Sequence, residues 1–374
     1  MSDQLRVGVI GAGAWAIASH LPTLARRHDV RLVAVNRRDE SALGRVRERF
    51  GFEYASTDYR DLLGMRLDLV IVSSPVVNHH EHALAAMEAG AHVLVEKPFT
   101  RTPAEAWELV ETAERLGRHL VLALGWHYRS IVATAKSLME TGEGVGTVEC
   151  VAVSMSSPTR EALLGRTPQF AAGAPRGGGI IGHCEAPDPD LVSQPSTMTD
   201  PAIAGGGYGQ AQLSHALGLS SWLTNLRGAS VYALMHRPPC SAVEYHDALV
   251  VSYTNGAIGT VSGSSSHLGA NGNKHALQIR IIGGDGELLL DLGREALWRV
   301  GADGEEKRLP FAPGDGDYTC DGPVDAVCDL ALGKDVRNAS PGDVGARTVE
   351  ILAGAYASAS CGSPTLINRS DDNA

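Results

Sequence analysis

The sequence predicts an α/β protein in two parts: an N-terminal doubly wound parallel sheet over residues 1–125 and a C-terminal α+β domain over 126–367 with a large, mostly antiparallel open sheet. Residues 368–374 read as a flexible tail. Three observations predict this. The 374 residues, 44% of them hydrophobic, exceed the roughly 250–300 at which one hydrophobic core stops growing. The first third alternates short apolar runs with helical patterns, the signature of βαβ units. From Val145 onward, alternating strands are joined by Asn255-Gly256, Asp285-Gly286 and Asp303-Gly304, dipeptides that favour the positive φ of tight hairpin turns.

In the first part, strands are expected at Arg6–Ile10, Arg31–Val35, Leu69–Ser73, His92–Val95 and His119–Ala123. Thr102-Pro103-Ala104-Glu105 opens a helix: Thr caps, Pro enters the first turn and Glu closes a capping box. Gly117 should stop that helix after Leu116. In the second part, strands are expected at Thr147–Ser156, Ala229–His236, Ala248–Thr254, Ile258–Ser264, Leu277–Ile282, Leu288–Asp291 and Ala296–Val300. Helices are expected at about Gln210–Leu223, Val324–Leu332 and Pro341–Ser360. The Gly- and Pro-rich stretch 165–207 reads either as a loop over a substrate site or as a surface insertion.

Composition excludes several classes. With 32 Lys and Arg against 43 Asp and Glu, the net charge of -11 opposes a polyanion such as nucleic acid. No apolar run approaches the roughly 20 residues that cross a bilayer, and the first strand begins too early for a signal peptide. A soluble, cytoplasmic protein is expected. The six cysteines (Cys150, Cys184, Cys240, Cys320, Cys328, Cys361) are scattered and signal neither a disulfide framework nor a zinc site. His79-His80-x-His82 has no completing ligands nearby, so no metal is expected.

Val7-Gly8-Val9-Ile10-Gly11-Ala12-Gly13-Ala14-Trp15-Ala16 runs from a strand through G-x-G-x-x-A into a helix. Gly11 permits the tight turn, Gly13 lets the backbone approach a pyrophosphate, and Ala16 lets helix and strand pack closely. The helix N-terminus then offers N–H groups and a positive dipole end to phosphates. This makes the first part a Rossmann dinucleotide-binding domain. The second strand ends in Asn36-Arg37-Arg38, with no acid before Asp39. An acid there would bind a free ribose 2′-hydroxyl, whereas arginines suit a 2′-phosphate, so NADP is favoured and NAD remains an alternative. Solvated arginines, or one stacked on adenine, would fit the same residues.

The fourth strand ends in Val95-Glu96-Lys97-Pro98-Phe99. Together with G-x-G-x-x-A, Ser74-Pro75 followed by His79, Gly90-x-His92-Val93 before Glu96-Lys97-Pro98, and Gly205-Gly206-Gly207 before His215, this resembles the Gfo/Idh/MocA oxidoreductases, which include glucose-fructose oxidoreductase and inositol dehydrogenases. The resemblance implies a Rossmann domain joined to an open-sheet domain, with the active site between them, and a homodimer or homotetramer formed through the sheet. It implies hydride transfer between a nicotinamide and a secondary alcohol or ketone of a sugar, aminosugar, nucleotide-linked sugar or cyclitol. The family also contains NAD-dependent glycosidases that run an oxidation–elimination cycle, and a non-catalytic dinucleotide-binding sensor.

By its position at the carboxyl end of a parallel strand, Lys97 faces the crevice where ligands bind in such sheets, and its ammonium can stabilise charge developing on a substrate oxygen. Glu96 is placed to orient it. Following the family pattern, Ser74, Pro75 and His79 adjoin the cofactor, while His80 and His82 face solvent. His215 matches the family's helix-borne histidine, suited to acid/base work. Inositol dehydrogenases carry an Asp four residues before it, where this chain has Ala211. Gln212, adjacent, accepts no proton and lies about 100° away on a regular helix. His215 alone, Tyr208, or Lys97 as both stabiliser and proton carrier could fill the gap. Trp126, His127, Tyr128 and Arg129 occupy the family's substrate-contacting segment, where aromatic faces meet sugar C–H surfaces; an interdomain packing hinge is the other reading. Tyr208, Gln212 and His215 complete the expected substrate contacts.

Overall fold

The computed structural model describes residues 4–166 and 196–367 and falls into two compact units. Among the described residues, unit 1 holds 4–125, 196–197 and 319–346, and unit 2 holds 126–166, 198–318 and 347–367. Most of the stretch expected as a loop over the substrate, and the expected tail, lie outside the described residues.

Unit 1 opens with β1 (Leu5–Ile10), α1 (Ala14–Arg26), β2 (Val30–Asn36), α2 (Glu40–Phe50), β3 (Tyr54–Ser56), α3 (Arg60–Leu63), β4 (Leu69–Val72), α4 (His79–Glu88), β5 (His92–Val95), α5 (Pro103–Leu116) and β6 (Leu120–Leu122). The strands form one parallel sheet in the order β3-β2-β1-β4-β5-β6. The order reverses between β1 and β4, the switch point at which open α/β sheets bind ligands. The β4 run Leu-Val-Ile-Val is wholly buried, as a strand covered on both faces must be. Helix α5 has the expected capping box, Thr102 accepting from the Glu105 N–H, and ends on left-handed Gly117. The three-residue β3 was not anticipated, since Tyr54-Ala55-Ser56 is too short to carry a period.

Unit 2 comprises α6 (Ser130–Thr141), β7 (Val148–Ser157), the one-turn helices α7 (Arg160–Leu163), α8 (Ser196–Thr199) and α9 (Pro201–Ala204), then α10 (Ser214–Thr224), β8 (Gly228–His236), β9 (His246–Tyr253), β10 (Ile258–Ser265), β11 (Ala276–Gly283), β12 (Gly286–Asp291), β13 (Ala296–Gly301) and β14 (Glu306–Leu309). The chain continues through α11 (Asp321–Ala331), α12 (Gly342–Cys361) and β15 (Thr365–Leu366). The nine-stranded sheet runs β14-β13-β12-β11-β7-β10-β9-β8-β15. It is mixed, because β10 lies parallel to β7 while the other pairs are antiparallel. The helical crossover after β7 sets the sense of the β8–β9–β10 meander, and its last strand returns alongside β7 in the same direction.

Strands β9 and β10 alternate buried and open residues along their whole length, and β11 does so over most of its own. Val151, Val153, Met155, Leu249, Val251, Val261, Leu277, Ile279 and Ile281 are buried on the face that α10 covers. The other face exposes Leu234 at 62%, Val250 at 54% and Ile258 at 60%.

Helix α11 belongs to unit 1 although it is about 200 residues distant from β6 in sequence. Electrostatics explains the placement. Arg27, at the end of α1, pairs with Asp29 (2.9 Å), Asp325 (2.9 Å) and Asp329 (2.6 Å). Lys334 binds Asp329 at 2.8 Å, and Thr23 donates to Asp321 at 2.6 Å. The Arg27 side chain is 13% exposed, so solvent screens these contacts less than it screens an exposed surface pair.

Two histidines make unit 1 acid-sensitive. On β5, His92 Nδ1 accepts the His119 N–H at 2.9 Å. Burial, then His119 and Arg118, push its pKa from 6.5 down to about 4. On α4, burial likewise holds His82 at about 4. Both folded rings stay neutral where an unfolded chain would bind protons, so their contribution is complete above pH 6.5 and is lost as pH falls towards 4. The melting temperature should therefore fall between pH 6.5 and 4, and His92→Gln should flatten that fall; a melting temperature constant over this range would contradict the assignment.

Candidate active site

Unit 1 assembles a dinucleotide cradle at its switch point. Gly11 has φ +82°, and a Cβ there would lie 2.4 Å from the Ser74 nitrogen; only glycine lets the loop pass so close. Gly13 is the N-cap of α1 and supplies no side-chain cap, leaving the first-turn N–H groups of Ala14 and Trp15 to an anion. The Asn36 carbonyl accepts from the Gly11 and Ala12 N–H groups and its side chain donates to Ser56 O, fixing the end of β2. Arg37 donates to Ala12 O at 3.2 Å, and Arg38 is exposed. Asp39 is occupied as the N-cap of α2, accepting from Ala42 N–H. These residues fit a dinucleotide: the tight glycine turn and the bare N–H groups of Ala14 and Trp15 are suited to a pyrophosphate.

His79 is buried, with Nε2 on Ser74 O at 2.7 Å and Nδ1 on Pro98 O (2.9 Å) and Phe99 O (3.1 Å). It pins the Ser74 loop to the turn after Lys97. Burial lowers its pKa against the pull of those carbonyls and Glu96. His80 pairs at the surface with Glu108. His82, expected to face solvent, is instead half-buried on Ser74 Oγ (2.9 Å) and against Tyr59, because helical spacing turns it back toward the β4 loop.

Glu96 and Lys97 follow directly on β5. Glu96 Oε1 accepts from Trp15 Nε1 at 2.6 Å and lies 2.7 Å from His20 Nε2, while Oε2 accepts the Lys97 N–H at 3.0 Å. Burial pushes this carboxyl up, but His20, Lys97 and Trp15 outweigh it and hold the pKa below the usual range. Burial drives the Lys97 ammonium down, opposed by Glu96 and Cys320. The lysine retains some accessible surface. His20 was missed in the sequence, where it reads as one polar residue on an apolar helix face.

In unit 2, Trp126 begins the segment expected to contact substrate. Its Nε1 donates to Gly316 O at 3.0 Å, and its ring meets three others nearly edge-on: His215 at 5.4 Å, His275 at 5.3 Å and Tyr318 at 4.9 Å. His215 also meets Tyr318 at 5.0 Å. Arg129 donates to Gly314 O and Asp315 O, fastening the strap that carries Tyr318. His127 is buried near Trp222, and Tyr128 is half-buried. The structure brings Trp126 and His215 together and adds His275 and Tyr318, which no motif announced.

The segment before His215 departs from a regular helix. Residues Gly209–Leu213 form a π-turn that leads into α10, and such bulges concentrate at functional sites. In π geometry each turn spans more than four residues, so the position facing His215 falls between Gln210 and Ala211. The 100° separation reckoned for Gln212 on a regular helix does not transfer. Gln210 and Gln212 are buried, and their Oε1 atoms have no hydrogen-bond partner among the described residues. Tyr208 is fully buried, its hydroxyl 3.0 Å from Ser157 Oγ and 3.2 Å from Met155 O. Burial raises its pKa far above the ordinary phenol value, so it is no ready proton source.

The triple glycine is explained by what lies under it. A Cβ at Gly206 would lie 2.1 Å from the Tyr356 hydroxyl, and one at Gly207 would lie 2.2 Å from Glu244 O. The Glu244 carboxylate accepts the Gly207 and Gly209 N–H groups and the Tyr356 hydroxyl. Nearby Asp247 is buried with no partner for either oxygen among the described residues. Burial and the Glu244 charge push its pKa up to about 8. Among the described residues no cluster of His, Cys, Asp or Glu could hold a metal ion.

Comparison with known proteins agrees with this geometry. Residues 5–124 match the model of the oxidoreductase family with an NAD-binding Rossmann fold, and residues 181–289 match the Gfo/Idh/MocA C-terminal domain, together well over half the chain. D-glucoside 3-dehydrogenase of Escherichia coli K12 is 39% identical over 145 residues, 38% of this chain and 41% of that protein. Glycosyl hydrolase family 109 protein 2 of Shewanella sp. ANA-3 is 33% identical over 130 residues, 32% of this chain and 28% of that protein. The chain therefore spans well under half the length of these two relatives. The crystal structure of levoglucosan dehydrogenase with NADH and levoglucosan shares the fold, with a TM-score of 0.74 at 19% identity over 98% of this chain and 100% of that one. On these matches, and on the Rossmann cradle and mixed sheet that accompany them, the chain belongs to the Gfo/Idh/MocA oxidoreductase family.

Proposed function

We propose that the protein is a nicotinamide-dependent oxidoreductase interconverting a secondary alcohol and a ketone on a sugar, aminosugar, nucleotide-linked sugar or cyclitol, in the cytoplasm, with NADP favoured over NAD. The observation that carries the reading is Lys97: a half-buried lysine at the carboxyl end of β5, its backbone held by Glu96, which is itself held by Trp15 and His20 of the nucleotide-binding helix. Bound dinucleotide would supply the hydride acceptor or donor. Lys97 would stabilise the substrate oxygen as charge develops on it, and His215, within its aromatic surround, would take or return the hydroxyl proton. A relative named as a glucoside 3-dehydrogenase supports a sugar substrate.

Lys97→Met should lower kcat at least about 100-fold, the scale of losing one oxyanion-stabilising group, with the melting curve unchanged. Turnover of a sugar and cyclitol panel by this variant at the parent rate would overturn the assignment. The preference for NADP rests on Arg38, exposed beyond β2, and on Asp39, spent as a helix cap. Arg38→Ala should raise KM for NADP about 10-fold, the loss of roughly 1.4 kcal/mol of phosphate contact, and leave KM for NAD alone. Equal effects on both cofactors would count against it.

A second reading draws on the glycosyl hydrolase family 109 relative: glycosidic cleavage without net redox change. Sugar release without added dinucleotide, by protein that keeps its cofactor through purification, would favour that reading.

The open sheet face bearing Leu234, Val250 and Ile258 supports a homodimer or homotetramer formed there. Light scattering on the purified protein should give two or four chains, and Leu234→Glu with Val250→Glu should give one; a monomeric parent would refute this arrangement.

A further inference from the structure

We propose that His20, on helix α1, is a positioning residue for Lys97 that acts through the Glu96 carboxylate. This rests on the oxidoreductase reading above, in which Lys97 stabilises the substrate oxygen.

His20 is fully buried and lies on α1 among the buried Ala16, Ile17, Leu21 and Leu24. At such a position an aliphatic side chain would pack with no polar atom to satisfy. The imidazole instead faces Glu96 Oε1 with its Nε2 at 2.7 Å, and its Nδ1 is buried with no hydrogen-bond partner among the described residues. A polar atom left unmatched out of water destabilises a fold, so packing does not account for a histidine here. The bond to Glu96 does.

What that bond governs follows from how Glu96 is shared. Oε1 accepts from Trp15 Nε1 (2.6 Å) and from His20, while Oε2 accepts the Lys97 N–H at 3.0 Å. Burial opposes both charges, pushing the Glu96 carboxyl up and the Lys97 ammonium down. At Glu96 the group that counters burial most is His20, ahead of Lys97 and Trp15; at Lys97 it is Glu96, ahead of Cys320 at the cap of α11. Dependence therefore runs from His20 to Glu96 to Lys97, all within unit 1. The carboxylate is also faced by His79 of α4, but that ring is spent on the Ser74, Pro98 and Phe99 carbonyls and cannot take over from His20. Without His20, Oε1 would keep Trp15 alone. A carboxylate that loses a donor binds its proton more readily, and Lys97 would then lose the countercharge that offsets its burial.

The test compares the full-length parent with His20→Asn and His20→Gln. Gln places an amide N–H about where Nε2 stands, whereas Asn is one methylene shorter and does not reach Glu96. On the best substrate of the panel, His20→Asn should lower kcat at least about 10-fold, within the range that misplacing a reacting group costs, with KM for the dinucleotide within about threefold. His20→Gln should restore kcat to within about threefold of the parent. A second readout needs no substrate. The Trp15 indole N–H is bonded to the same Oε1, so its resonance in protein carrying isotopically labelled tryptophan, assigned with Trp15→Phe, reports the ionisation of Glu96. Between about pH 8 and 5 it should stay constant in His20→Gln and move in His20→Asn, where Glu96 takes up its proton about 1–2 pH units higher, the scale of one hydrogen bond to a buried charge. A His20→Asn protein with the parent kcat, or with a constant indole resonance, overturns the role of His20 and leaves the oxidoreductase reading intact. A His20→Gln kcat as low as that of His20→Asn overturns it too. A parent inactive on every alcohol and ketone offered, with either dinucleotide, removes the oxidoreductase reading, and the indole resonance still decides whether His20 governs Glu96.

Discussion

One buried carboxylate organises unit 1. Glu96 is out of water yet keeps its charge, because all the groups it meets are donors: an indole N–H, an imidazole and a backbone N–H. A carboxylate without them would be expelled or neutralised. The three donors come from two places, α1 and the turn after β5, so satisfying the charge fixes one against the other. The geometry of the nucleotide-binding helix and that of Lys97 are consequently not independent. His79 adds a second tie, since its ring joins the Ser74 loop to Pro98 and Phe99.

Unit 2 uses the same device. Glu244 gathers two backbone N–H groups and the Tyr356 hydroxyl beside Gly205-Gly206-Gly207, and Gly206 and Gly207 leave no room for a side chain against the Tyr356 hydroxyl and the Glu244 backbone. The π-turn that follows costs some regular hydrogen bonding, and Glu244 compensates by satisfying N–H groups at its start. Asp247 beside it, pushed up to about 8, is mostly protonated at neutral pH: two carboxylates in one buried place do not both ionise. The segment leading to His215 is thereby held by Glu244 and Tyr356.

Much of this was legible in the chain. Helix α5 follows from Thr102, Pro103, Glu105 and Gly117, and the switch point follows from a glycine motif between two apolar runs, because those signals are local. The parallel pairing of β7 with β10 was not legible, since it depends on where a meander comes to rest. Nor were His20, Glu244, His275 and Tyr318. Each acts on a residue tens of positions away or more: His20 on Glu96, Glu244 on Gly207, and His275 and Tyr318 on Trp126. No spacing rule connects them. The π-turn was hidden for a different reason, as nothing in Gly-Gln-Ala-Gln-Leu distinguishes it from ordinary helix, and the facing of Gln210, Ala211 and Gln212 changes with it.

The loss of an acid at position 211 follows a physical logic once the aromatic surround is counted. A carboxylate beside His215 would bind its imidazolium strongly and make the proton costly to return. Trp126 and Tyr318 instead meet His215 nearly edge-on, at 5.4 and 5.0 Å between ring centroids, contacts that orient the ring without pairing it to a charge. This leaves orientation, rather than charge, as the task of the surrounding residues. Trp126 is fixed by Gly316, and Arg129 fixes the strap from which Gly316 and Tyr318 project. The aromatic pair is held in place by backbone carbonyls rather than by ion pairs.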